Sequence, residues 1–215
     1  MTFERWFEIA FAHWDELGRG RPKEAARMAW EAGRRVGTFQ QLDQVLSFHE
    51  AFGVQLPEDP WTPELSLADR SLLRSHAHSL GALAHKLKRQ AAEATDLGRA
   101  ALGLLLLRLQ LHVEETGELA EAWVAGDLVK VLDALSDIGY VNCGTYLTHG
   151  LGPAKVAADN AVHVSNMSKL GEDGRPIIAA SGRVEKGPNY RPPNLGAVLE
   201  ALLALPDEEP PNAGA

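Results

Sequence analysis

The sequence predicts an all-α fold, and three observations carry the prediction. Apolar residues recur at helical spacing along nearly the whole chain. The interruptions are short and rich in Gly and Pro. The composition, 45% hydrophobic and 23% charged over 215 residues, is that of an ordinary globular protein. That length suits one domain with an appendage, and it buries a core without disulfide staples.

Taken in order, Phe3, Phe7, Ile9, Ala10 and Trp14 fit a short amphipathic helix that Gly18-Arg19-Gly20 stops. Pro22 suits the first turn of a second helix, to about Val36. Thr38 is a candidate N-cap for a third, carrying Leu42, Val45, Leu46 and Phe48. Three prolines make residues 56–63 a loop. Helical patterning resumes from about Ser66 to Val124, with breaks expected near Gly81 and at Asp96-Leu97-Gly98. Gly126 then reads as a stop and Asp127 as the N-cap of a helix from Leu128 to about His149. Another helix is expected from Ala154 to Lys169. Beyond it, Pro176-Ile177-Ile178 and Gly182-Arg183-Val184-Glu185 read as a short hairpin, residues 186–193 as a loop, and Asn194 to Leu203 as a last helix. The organisation expected is a helical extension over 1–40, a domain over 41–205 and a disordered tail over 206–215.

The charge narrows the function. Acidic residues number 29 against 21 Lys and Arg, a formal net charge of -8, which argues against a protein that grips nucleic acid. The longest apolar run, Ala100 to Leu107, falls far short of the roughly 20 residues that span a bilayer. Acidic residues occupy the start where a signal peptide needs apolar ones, so a soluble, cytoplasmic protein without a membrane partner is expected. The single cysteine, Cys143, excludes an internal disulfide and is expected to be a buried thiol. His76 and His78 point about 200° apart on a helix, so the histidines at 76, 78 and 85 do not form a metal cluster.

The informative stretch is Leu104 to Trp123. At about 100° per residue, Leu104, Leu107, Leu111 and Ala122 share a side with Glu115 and Glu118. Glu114 and Glu121 lie on another flank with Gln110 and Gly117. An unpaired carboxylate on a buried stripe is costly, so it shifts its pKa, pairs with a cation or binds a metal. On the next helix, Asp133 and Asp137 share a face at i, i+4. A short turn joins the two helices, so the pairs are expected to meet in an antiparallel hairpin. A solvated or ion-paired face and a site for a hard divalent cation both remain open at this point. The following helix places Asp159, His163 and Asn166 on one face, with Lys169 one turn on, an arrangement suited to polyphosphate oxygens. His163 could equally be a packed or capping residue, and Lys169 a helix C-terminal partner. Trp61 and Tyr190 sit in Pro-rich loops, where each either stacks on a base or pins its loop. The helix from Leu97 to Trp123 is apolar nearly all round, more than one helical layer covers, so a homodimer at least is expected.

Together these residues resemble the MazG-like, all-alpha nucleoside triphosphate pyrophosphohydrolases. Glu114-Glu115-Thr116-Gly117-Glu118 is similar to the EExxE motif, and the stretch from Asp133 to Tyr140 to the second acidic motif. His163 to Leu170, Gly174-Arg175-Pro176 and Lys186 to Tyr190 resemble the tail of a phage and bacterial branch, and Phe48 to Gly53 its early segment. The resemblance spans roughly Leu46 to Tyr190. It implies a helical bundle that forms dimers or dimers of dimers. It also implies Mg²⁺-dependent cleavage of a nucleotide between the α- and β-phosphates, with Mn²⁺ as an alternative ion. By the same resemblance Glu115, Glu118 and Asp137 would be ligands, with Asp133 a substitute for the second-motif Glu, whose position is Ala134. Glu114 would orient or deprotonate the water, while His163, Asn166, Lys169, Lys186 and Tyr190 would meet the substrate. The pattern departs at Val164, where a cation is usual, and at Ala161, where an acid is. The rival readings are a phosphoribosyl-ATP pyrophosphohydrolase and a helical nucleotide- or metal-binding protein without catalysis.

Overall fold

A computed structural model of the chain describes residues 40–54, 56–57 and 59–204. It contains α1 (Gln40–Ala51), α2 (Leu67–Asp96), α3 (Ala100–Ala125), α4 (Leu128–Thr148), α5 (Lys155–Met167) and α6 (Leu195–Leu203), with a 3-10 turn at Gly152–Ala154. The all-α expectation holds. The helices expected before residue 40, the Thr38 cap and the tail over 206–215 lie outside the described residues. No helix among the described residues is long and apolar enough to cross a membrane.

The chain divides into two compact units, Pro57–Lys155 and the segments flanking it. In the first, Ser66 Oγ accepts the Asp69 N–H at 3.1 Å and starts α2. α2 then runs unbroken through Gly81, contrary to the break expected there. One helical Gly costs about 1 kcal/mol, and thirty residues packed on α3 outweigh it. The seam runs at seven-residue spacing: Ala77, Ala84 and Ala91 of α2 face Gly103, Gln110 and Gly117 of α3, all buried and all but Gln110 small. A Cβ at Gly103 would sit 2.9 Å from the Ala91 carbonyl oxygen, so only glycine lets the backbones approach this closely. Gly126, at φ 68°, closes α3, and Asp127 Oδ1 accepts the Val129 and Lys130 amides to open α4.

α4 covers α3 from the other side, burying Leu119 and Ala122 of α3 with Ala134 and Val141 of α4. α3 is therefore the middle of three helices, and two arcs of it stay open. This corrects the expected burial pattern. The Leu104–Leu107 stripe lies on an open arc, those leucines being 46% and 42% exposed. The other flank, with Gln110 and Gly117, is the one that faces α2. The seam was hidden because glycine and glutamine carry no apolar signal. Cys143 is also exposed rather than buried, because the buried line of α4 runs through Ala134 and Val141.

In the flanking unit, Phe52 is buried and stacks on Phe48 at 4.1 Å between ring centres. Gln40 Nε2 donates to Asn160 Oδ1 at 2.8 Å and Gln44 Nε2 to the same oxygen, tying α1 to α5. The expected hairpin reduces to a single antiparallel bridge, Ile178 with Val184. Buried Gly187 donates its N–H to the Lys169 carbonyl at 3.1 Å. Arg191 N donates to Ser168 Oγ at 2.9 Å, so the loop over 186–191 is fastened to the end of α5.

Candidate active site

Six carboxylates gather on one open side of the α3–α4 hairpin. Glu115 and Glu118 both have carboxyl pKa values raised above the usual carboxylate range. For Glu115 partial desolvation is the largest cause, followed by repulsion from Glu118, Asp137, Glu114 and Asp133. For Glu118 desolvation again leads, followed by Glu114, Asp137, Asp133 and Glu121. Asp133 and Asp137 are thus close enough to act on both glutamates, as the antiparallel hairpin requires. Glu115 is half-buried, whereas Glu118, Glu121, Asp133 and Asp137 are exposed.

Glu114 is held differently. Gln110, 2% exposed, donates its side-chain amide to Glu114 Oε2 at 2.6 Å. A buried amide therefore fixes the rotamer of one carboxylate in the group. Ala134, at the second-motif Glu position, is buried against α3. Asp133, one residue earlier, is exposed. Lys130 lines a cavity of about 260 Å³ with Glu118, Glu121 and Asp133. The sequence reading missed it, although its i, i+3 spacing to Asp133 was available as a signal.

The donor set is chemically that of a hard divalent ion: carboxylate oxygens, mutually repelling, on two adjacent helices. Among the described residues no three Asp, Glu, His or Cys side chains converge on one point that a metal would occupy.

The expected substrate residues lie in the flanking unit. Lys169 Nζ donates to Asn166 Oδ1 at 2.8 Å. Lys186 Nζ stands 4.3 Å over the Tyr190 ring, a cation–π contact. The docking of Gly187 on Lys169 brings that loop to the same end of α5. The structure thus joins Asn166, Lys169, Lys186 and Tyr190 around one helix terminus. Half-buried His163 lies one turn earlier and, with Asn166 and Phe48, lines a cavity of about 330 Å³ between α1 and α5.

Residues 80–164 match the family model of phosphoribosyl-ATP pyrophosphohydrolase. No curated protein matches the chain. Among solved structures, the chain is similar to a protein described as a candidate NTP pyrophosphohydrolase from Exiguobacterium sp. 255-15. Identity is 25%, the alignment covers 76% of this chain and 95% of that one, and the TM-score is 0.46. The matched segment contains the EExxE stretch at 114–118 and the acidic pair at 133 and 137. Through this helical core the chain is similar to the all-α pyrophosphohydrolases, hydrolases that act on nucleotide pyrophosphate bonds.

Proposed function

We propose that the protein is a Mg²⁺-dependent nucleoside triphosphate pyrophosphohydrolase that releases a nucleoside monophosphate and pyrophosphate. The observation that carries this reading is the carboxylate group on α3 and α4, where partial desolvation and then four neighbouring acids raise the pKa of each of Glu115 and Glu118. Glu115, Glu118 and Asp137 would hold the ion, with Asp133 beside them. When bound, a divalent ion polarises the phosphoryl oxygens and offsets the charge that develops on them. Glu114, oriented by Gln110, accepts the proton of the attacking water. The water oxygen bonds to the α-phosphorus as the bond from that phosphorus to the bridging oxygen breaks, and pyrophosphate leaves. Lys169, Lys186 and Asn166 would bind phosphate oxygens, with His163 and Tyr190 completing the substrate contacts.

A second reading has its own support. The matched family model is that of phosphoribosyl-ATP pyrophosphohydrolase, which shares the bond cleaved but not the substrate. Pyrophosphate release from a panel of nucleoside triphosphates and phosphoribosyl-ATP, with Mg²⁺ or Mn²⁺, tests both. Turnover of a triphosphate supports the first reading, and turnover of phosphoribosyl-ATP alone supports the second. No turnover leaves a helical nucleotide- or metal-binding protein.

A further inference from the structure

The carboxylates have a second side. Between α2 and α3 lies a cleft of about 170 Å³ whose floor is Ala77, Gly81, Ala84 and Gly117. These four have no side chain beyond Cβ, which is why space remains where two helices pack this closely. One wall carries Glu114, Glu118 and Glu121, the other His85 and Lys88. We propose that this cleft is a phosphate-binding cleft, in which Lys88 and His85 hold the oxygens of a polyphosphate whose divalent ion is held at Glu118, the carboxylate this wall shares with the proposed ion site. The inference rests on the pyrophosphohydrolase reading and adds two substrate contacts to it.

The mixed wall carries the argument. A bare cation is repelled by Lys88, and a bare anion by three carboxylates. An anion that carries a divalent ion satisfies both walls at once, with carboxylates on the metal and ammonium on the phosphate oxygens. The size agrees: ligand pockets run from about 300 Å³ upward, so this cleft takes phosphates and leaves a nucleoside outside. Both side chains project from a helix interior, so their backbone positions are fixed by the Ala77–Ala84–Ala91 seam. Glu114 is held by Gln110.

The test is calorimetric titration of the full chain with Mg²⁺-pyrophosphate, with an α,β-methylene nucleoside triphosphate plus Mg²⁺, and with Mn²⁺ alone. Lys88→Ala should weaken at least one of the two phosphate probes about tenfold, and Lys88→Arg should restore most of the loss. Mn²⁺ affinity should stay within about twofold, because Lys88 is not a ligand. Loss for the nucleotide analogue alone means that the cleft grips the bound substrate, and loss for both means that it also holds the product. Unchanged affinity for both probes in the His85→Ala/Lys88→Ala double variant overturns the inference. A wild-type chain that hydrolyses no nucleotide, yet needs Lys88 to bind Mg²⁺-pyrophosphate, overturns the enzymatic reading and leaves the cleft standing.

Discussion

The Arg108 guanidinium lies directly over Gly144: a Cβ added there would be 2.6 Å from Arg108 Nη2. From this position Nη2 donates to the Val141 carbonyl at 2.7 Å and Nε to Thr145 Oγ1 at 3.3 Å. Thr145 Oγ1 also meets His112 Nε2 at 3.0 Å. These contacts set the register of α3 against α4, the same register that brings Asp137 to Glu115. Arg108→Ala should therefore cost about 1–2 kcal/mol. Gly144→Ala expels the guanidinium but gains up to about 1 kcal/mol of helix propensity, so its net effect should be small. The two should couple: with Ala at 144, removing Arg108 should cost little more, by urea denaturation of all four members of the cycle.

Glu118→Gln should abolish turnover while the far-ultraviolet spectrum stays helical. Without added metal the variant should be slightly more stable than wild type, by roughly 0.5 kcal/mol or less. The group is exposed and water screens the repulsion it relieves. Wild-type turnover in this variant would remove Glu118 from the chemistry.

The raised carboxyls give a pH dependence of definite sign. Glu115 and Glu118 bind protons more tightly folded than unfolded. Their contribution to metal-free stability is therefore favourable under acid, and it is lost as pH rises from the ordinary carboxylate range through the raised values. Divalent-ion affinity should change oppositely, rising across the same window as the ligands deprotonate. Melting curves against pH, with EDTA and with Mg²⁺, should diverge as pH increases. Parallel curves would show that the ion binds elsewhere.

Lys169→Ala should weaken nucleotide binding and slow turnover while Mn²⁺ affinity stays nearly unchanged. Asn166→Ala should cost less and respond less to salt, since an amide contributes a hydrogen bond and no net charge. The two losses should fall short of additive, because Asn166 Oδ1 accepts from Lys169 Nζ. Titration of the nucleotide at two ionic strengths separates these outcomes.

On the arc of α3 away from the acids, Leu105 and Leu109 are 49% and 51% exposed, an apolar face that suits a contact with a second copy. Light scattering at micromolar concentration should give a homodimer or a dimer of dimers, and Leu105→Glu/Leu109→Glu should shift it to monomer.

Much of the fold was legible because its signals are local. Ser66, Gly126, Asp127 and Asn194 mark helix ends by side-chain and backbone chemistry that depends on no distant neighbour. The acidic group was legible from spacing alone, since i, i+3 and i, i+4 place carboxylates on one side whatever the helix packs against. Which side of α3 is covered was not legible. Apolar periodicity names the leucine arc, and the observed seam runs through Gly103, Gln110 and Gly117, where close backbone approach replaces side-chain burial. The cleft beside Lys88 and His85 was not legible for the same reason: it exists only because Ala77, Gly81, Ala84 and Gly117 beneath it have no side chain beyond Cβ.

Because α3 is sandwiched on two sides and bare on two, the arc of Leu105, Leu109 and Trp123 points away from the arc of Glu114 and Glu118. One helix thus carries two independent inheritances. A lineage could redraw whatever surface the leucines meet without disturbing an acid, or retune the acids without disturbing the leucines. Substitutions on opposite arcs should combine as strangers, each with the effect it has alone, whereas two changes on the acidic arc should answer to each other.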